Sequence, residues 1–256
     1  MSDIATDKLH IEDLKAHFSD TDVFKTKDIT AFFRSFEPKL KKSTINWRVY
    51  HLVQKGILER IGRGTFKLGQ KKIFEPTIGK QERSIAELIQ SRFPYADYCV
   101  WNTSVINQFM VHQPFRFVHM VEVDKEAASN VFNELKEEGC TAFLKPGREI
   151  MNNYLRDAKN PVIIKPLITE APIQEIDHIP TITLEKLLVD LFADTVIFTT
   201  YQGKELSTIY QEAFNAYTVN VKKLLRYADR RKQRPKITYF LESLDLLPIK
   251  HWRDDL

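Results

Sequence analysis

Apolar residues in the first third of the chain recur every three or four positions and then shift to short runs of strand formers. In residues 10–18, Ile11, Leu14 and Phe18 fall on one face and predict a short first helix. Residues 26–36 open on Thr26, a suitable cap, carry Asp28 in the first turn, and repeat Ile29, Phe32, Phe33 and Phe36 before Pro38 closes the segment. A third helix is expected over 44–55, capped by Ser43 and stopped at Gly56, with Ile45, Val49, Leu52 and Val53 as its buried stripe. Residues 57–61 and 65–68 are two strand-forming runs separated by Gly62-Arg63-Gly64, which predicts a hairpin with an arginine near its tip.

Three short helices followed by a basic hairpin is the order of a winged helix-turn-helix domain. The periodicity breaks over 71–80, so the domain boundary is placed near residue 80, giving domains 1–80 and 81–256. Beyond it, helical and strand patterns alternate: helix 84–93, strand 97–101, helix 103–110, a long strand 115–123, helix 126–138 stopped by Gly139, and strands 141–144 and 161–167. From Leu184 the pattern is helical, over 184–192, 207–217, 221–231 and 237–244. The expected class is α+β: an N-terminal winged helix-turn-helix, then a mixed α/β domain with a helical C-terminal subregion.

Composition removes several classes without naming a function. The chain has 256 residues, 43% hydrophobic and 28% charged, an ordinary folded mix. Charges or prolines interrupt every apolar run before it could span a bilayer, and Met1-Ser2-Asp3-Ile4-Ala5-Thr6-Asp7-Lys8 lacks the basic start and apolar core of a secretory signal. Cys99 and Cys140 are too few for a disulfide scaffold or a cysteine zinc site. A cytoplasmic protein without membrane contact is the expectation.

The net charge of +4 averages two unlike parts: residues 1–80 carry 16 Lys+Arg against 10 Asp+Glu, and residues 81–256 carry 22 against 24. Within 34–72 there are 11 basic residues and only two acids, Glu37 and Glu59. A polyanion partner for the first third follows, because this excess is more than solubility requires.

The third helix suits insertion in a major groove. Lys41, Lys42, Ser43 and Thr44 stand at its entry, and Asn46, Trp47, Arg48 and Tyr50 are read as projecting outside the apolar stripe. Asn46 offers the bidentate geometry for adenine and Arg48 that for guanine, while Trp47 and Tyr50 are equally readable as packing residues. Arg60, Arg63 and Lys67, with Lys71 and Lys72, are assigned to phosphates or an adjacent minor groove.

The run Asn46-Trp47-Arg48-Val49-Tyr50-His51-Leu52-Val53-Gln54-Lys55-Gly56-Ile57-Leu58-Glu59-Arg60-Ile61-Gly62-Arg63-Gly64-Thr65-Phe66-Lys67-Leu68 resembles the amino-terminal winged helix of AbiEi-type antitoxins. Ile179-Pro180-Thr181-Ile182-Thr183-Leu184-Glu185-Lys186-Leu187-Leu188-Val189-Asp190-Leu191 resembles a segment of that family's second domain. The resemblance implies an antitoxin of a type IV toxin-antitoxin system acting in phage defence. Its winged helix would repress its own operon by binding promoter repeats in double-stranded DNA, with a homodimer as the candidate assembly. Its second domain would counteract a nucleotidyltransferase-like toxin.

Two other classes stay open. Glu82, Asp97, Glu122, Asp124, Glu170, Asp190 and Asp194 are candidate carboxylates, and Glu122-Val123-Asp124-Lys125 faintly resembles the metal-binding core of restriction-type nucleases. That would make a DNA-targeted nuclease or nucleotidyl-handling enzyme with a winged-helix head; a ligand-sensing transcription factor is the other rival. The main reading is a non-enzyme without cofactor or metal, since His10, His17, His51, His112, His119, His178 and His251 show no ligand spacing and no Walker or dinucleotide motif occurs. Glu185, Lys186 and Asp190 are read first as a cap or buried ion-pair partners. Lys222, Lys223, Arg226 and Arg230 head a second basic cluster, read first as a solvated helix face and otherwise as a surface for an acidic partner, the toxin or RNA.

Overall fold

A computed structural model describes residues 9–69, 71–110, 116–155 and 158–247. The amino-terminal segment read above for a signal, the start of the expected strand at Phe115, and His112 and His251 lie outside the described residues. The chain is a mixed α+β protein, with three small sheets among the described residues, and its Cα packing divides it into two compact units. One unit runs to Ile73 and takes in Asn215–Thr218; the other is Phe74–Phe214 resumed from Val219. No helix among the described residues is long and apolar enough to cross a membrane.

In the first unit, α1 (Ile11–His17), β1 (Phe24–Lys25), α2 (Thr26–Phe36), α3 (Lys42–Gln54), β2 (Leu58–Gly62) and β3 (Thr65–Leu68) follow in order. The helices share one aromatic-rich core in which Leu14, Ile29, Phe33, Leu52 and Phe66 are fully buried. Each such side chain contributes about 1.5–3 kcal/mol relative to exposure. The hairpin turns through Arg63 and Gly64, and β1 adds a third strand, giving the antiparallel order β1-β3-β2 with Phe24 opposite Phe66. The caps differ from the expected ones. Lys25, not Thr26, precedes α2, where the Asp28 carboxylate accepts from the Lys25 N–H at 2.8 Å. Lys41 precedes α3 without a side-chain cap, so Ser43 sits inside the first turn. After α3 the chain reverses at Gly56 (φ 68°), where a Cβ would overlap the Thr218 side chain. Lys72 pairs with Tyr217 in a lone parallel bridge.

The second unit opens with α4 (Lys80–Arg92). Phe74 and Ile78 are buried, and residues 74–80 belong to the second unit. Its main sheet comprises β4 (Tyr98–Asn102), β5 (His119–Val123), β6 (Ala142–Leu144) and β7 (Val162–Pro166) in the order β4-β5-β7-β6. The β4–β5 pair is antiparallel and the other two are parallel. A 3₁₀ helix, Thr103–Phe109, stands where an α-helix was expected. The strand alternation sorts the side chains between faces. Tyr98, Val100, Val121, Val123, Val162 and Ile164 face the apolar layer of α4 and α5 (Ala128–Glu137), together with Ile85, Ile89, Val131 and Leu135. The register row Cys99, Glu122 and Lys165 belongs to the opposite face.

A short α6 (Arg148–Asn153) and the hairpin of β8 (Ile173–Ile176) and β9 (Ile179–Ile182) were not anticipated. The hairpin turns at Asp177 and His178, both with positive φ, the combination that matches strand twist in a two-residue turn. Helices α7 (Leu184–Ala193), α8 (Lys204–Ala216), α9 (Val221–Arg230) and α10 (Arg234–Ser243) complete the described residues.

Candidate nucleic-acid interface and buried charge cluster

On α3, residues 45, 48, 49 and 52 have the spacing i, i+3, i+4, i+7, and so do residues 43, 46, 47 and 50, two positions out of phase. The two stripes therefore lie on opposite faces of the helix. The first is buried and the second exposed. Asn46 is exposed, Trp47 keeps 47% of its surface and Tyr50 54%, so both aromatics are outward residues and not packing residues. The Trp47 ring leans on His51 one turn later, with centroids 4.1 Å apart. No acidic residue occurs anywhere on α3.

Arg48 corrects the sequence expectation. It lies on the inward stripe and is only 4% exposed. Its Nη2 donates to Glu37 Oε1 at 2.5 Å and its guanidinium lies over the Phe33 ring, 5.0 Å from the centroid. Arginine tolerates this placement because its long apolar stem packs with the core while its flat cation stacks on an aromatic face. It is a clasp between α2 and α3 and has no access to a guanine edge.

The remaining expected contacts stay on the surface. Lys41, Lys42, Ser43, Arg60 and Arg63 are exposed, and Thr44 is half-buried. Arg60 lies over the Phe66 ring at 5.3 Å, and Lys67 pairs with Glu59 at 3.2 Å. Thus the two acids of the basic stretch each engage one cation, while Lys41, Lys42, Arg60 and Arg63 form no ion pair among the described residues.

The second unit treats charge differently. On the sheet face opposite the apolar layer, α7 lays Lys186 and Asp190 against Glu122. Lys186 Nζ donates to Glu122 Oε1 and Asp190 Oδ2, both at 2.5 Å. Trp101 Nε1 donates to Glu122 at 3.2 Å and the Tyr227 hydroxyl to Asp190 Oδ1 at 2.9 Å. Lys165 reaches Asp194 at 2.7 Å and Glu122 at 3.6 Å, and Arg231 bridges Asp190 and Asp194. Three carboxylates meet three cations, so the cluster is charge-balanced. Burial opposes ionisation of Asp190, but Lys165, Lys186 and Arg231 outweigh it and hold its carboxyl below the usual range. Burial likewise opposes the charge on Lys186 and is overcome by Asp190 and Glu122, so its ammonium is held well above the ordinary lysine range. Burial pushes the neighbouring Cys99 thiol upward, leaving it an inert neutral group.

These contacts bear on the nuclease-like residues. Glu122 is fully buried with its Oε1 held by Lys186 and Trp101, whereas Asp124 is turned to the start of β4, where its carboxylate accepts from the Asp97 N–H at 2.8 Å. Among the described residues no three His, Cys, Asp or Glu side chains are grouped to hold a metal ion. A separate buried pair joins Glu82 to His119 Nδ1, with Asn102 donating to Glu82 Oε1 at 3.2 Å. Burial raises the Glu82 pKa, but the His119 contact prevails and the carboxyl is held low. The sequence offered no signal for this pair, whose members lie 37 positions apart on α4 and β5.

The second basic cluster is largely engaged inside its own unit. Arg226 pairs with Glu170 at 2.8 Å, Arg230 also pairs with Glu170, and Lys223 lies 3.8 Å from Glu185. Lys222 is exposed at the start of α9 and has an interaction of its own. The segment 179–191, singled out from sequence, forms β9 and α7, with Thr183 capping the helix by accepting from the Lys186 N–H at 3.3 Å. Thr181, Leu187, Leu188, Val189 and Leu191 in it are fully buried.

A comparison with curated proteins finds no match. One family model, described as a family of unknown function (DUF6577), matches residues 44–246, taking in most of α3, the hairpin and nearly all of the described second unit. The chain belongs to that family.

Proposed function

We propose that the chain is a DNA-binding regulator whose first unit acts as a winged helix-turn-helix, with α3 as the helix that enters the major groove and the β2–β3 hairpin as its wing. The observation that carries this reading is the outward stripe of α3. A helix with no acid presents Asn46, Trp47 and Tyr50 to solvent beside Lys41 and Lys42. Backbone amides at the helix start, the two lysines and the wing arginines are suited to phosphates, and the outward side chains to base edges.

The test is fluorescence anisotropy of the full chain on labelled duplex DNA at low and moderate salt. Affinity is expected to fall steeply with salt and to drop in Lys41→Ala, Lys42→Ala and Trp47→Ala, while Arg226→Ala leaves it unchanged. Absence of binding at low salt, or equal losses in all four variants, overturns the reading.

The resemblance to AbiEi-type antitoxins adds a second role: repression of its own operon and neutralisation of a nucleotidyltransferase-like toxin. The residues that carry the resemblance at 179–191 are mostly interior, so they speak for a shared scaffold, and a toxin-facing surface would be drawn from other residues. Expression of the neighbouring reading frame with and without this protein tests the role. Growth arrest by the neighbour alone, relieved by co-expression, is expected; a harmless neighbour removes the antitoxin role and leaves DNA binding standing.

A further inference from the structure

With Arg48 buried against Glu37 and Phe33, α3 has lost the only arginine that could read a guanine edge from it. What stays outward is a different set. Asn46 matches the adenine N6/N7 pair. Trp47 presents apolar ring surface, and its tilted contact with the His51 ring, 4.1 Å between centroids, reduces the ordering left to be done when a ligand arrives. In a major groove, the apolar feature such a ring meets is the C5-methyl of thymine. Lys41 and Lys42 stand at the amino end of the helix as mobile point charges, which position on phosphate more than they discriminate between bases.

The wing points the same way. Arg63 sits in the two-residue turn between β2 and β3 and makes no ion pair among the described residues, whereas Arg60 is spread over Phe66. An arginine at the tip of a narrow hairpin fits a minor groove, and the groove that attracts arginine most strongly is the narrow one of A·T tracts.

We propose that this chain selects A·T-rich duplex DNA, with Asn46 reading adenine, Trp47 covering thymine methyls and Arg63 entering a narrowed minor groove. The assignment rests on the DNA-binding reading above and adds the sequence class of its target.

Selection from a randomised duplex pool with the full chain yields an A·T-rich consensus. Anisotropy against A·T-rich and G·C-rich duplexes of equal length then shows roughly tenfold tighter binding to the former, the scale of one good bidentate base contact. Replacing thymine by deoxyuridine removes only the methyl groups and weakens wild type by about fourfold per contacted thymine, the worth of one buried methyl-sized group. In Trp47→Ala that loss disappears. The uridine arm needs no variant to fold, and Trp47 and Asn46 are exposed. Equal affinity for both duplexes, or a G·C-rich consensus, overturns this proposal while DNA binding stands; no binding to any duplex overturns both.

Discussion

Between residues 34 and 72, eleven basic side chains meet two local acids, Glu37 and Glu59; between 222 and 236, eight basic side chains meet one local acid, Asp229. By sequence the two runs look alike. In the fold they diverge, because the second run is brought against carboxylates from distant segments: Glu170, Glu185, Asp190 and Asp194. In the first, the acids that pair with Arg48 and Lys67 are the run's own Glu37 and Glu59, and Lys41, Lys42, Arg60 and Arg63 form no ion pair among the described residues. A basic run therefore means a polyanion surface only where the tertiary structure supplies no acids to it, and local composition does not carry that information.

The comparison breaks most severely at Lys186. Lys186→Met leaves the Glu122 and Asp190 carboxylates buried around one fewer cation, and removing one partner of such a cluster costs about 3–5 kcal/mol. Urea unfolding of the second unit should register this loss, and a change under 1 kcal/mol (roughly the worth of a surface pair) would mean the cluster is far wetter than its burial implies. The pH dependence has two limbs. Asp190 has a depressed pKa, so its stabilisation is complete above the ordinary carboxylate range and is lost as pH falls through and below it. Lys186 and Lys165 have raised pKa values, so theirs is complete below the ordinary lysine range and is lost as pH rises beyond it. Wild type should show a broad neutral plateau of stability, with the alkaline limb shallower in Lys186→Met.

Arg48 sharpens the contrast from within the basic run itself. Arg48→Ala removes a charge-assisted hydrogen bond and a stacked cation from the first unit, an expected loss of about 2 kcal/mol in stability. At temperatures where the variant remains folded, its DNA affinity should match wild type. A stable variant with weakened DNA binding would return Arg48 to the outward face.

The next effect is smaller and concerns binding alone. Arg63→Ala should leave stability within about 0.5 kcal/mol of wild type, as for most surface substitutions. If Arg63 contacts a phosphate on its way into the minor groove, the slope of log affinity against log salt should fall by about one unit. An unchanged slope would remove the hairpin tip from the proposed interface.

How much of this was readable beforehand depended on whether the determinant was local. The helices of both units other than α6, the hairpin around Arg63 and the strands of the main sheet follow from periodicity and turn residues close in sequence. The burial of Arg48 was also readable: 45, 48, 49 and 52 form one stripe, and the residue's charge alone argued against counting it inward. The two-residue strand β1 is too short to carry a pattern. The β8–β9 hairpin turns on Asp177-His178 instead of a glycine pair, so its strongest marker is absent. The pairing of Glu122 with Lys186 spans 64 positions, and that of Glu82 with His119 spans 37; only the sheet register and the docking of α7 bring such partners together.

The smallest expected effect closes the comparison. Arg226 and Arg230 share the Glu170 carboxylate at the surface of the second unit. Exposed pairs of this kind contribute about 0–1 kcal/mol, since solvent screens the attraction and both side chains lose freedom on pairing. Arg226→Ala and Arg230→Ala should therefore shift the urea midpoint only slightly, and each less at high salt than at low. Neither should alter the affinity for duplex DNA or its salt slope, because these cations are already matched by an acid of their own unit. A salt slope reduced by about one unit in either variant would show that Glu170 yields its arginines to phosphate, and the second basic run would then count as a nucleic-acid contact in spite of the acids brought against it.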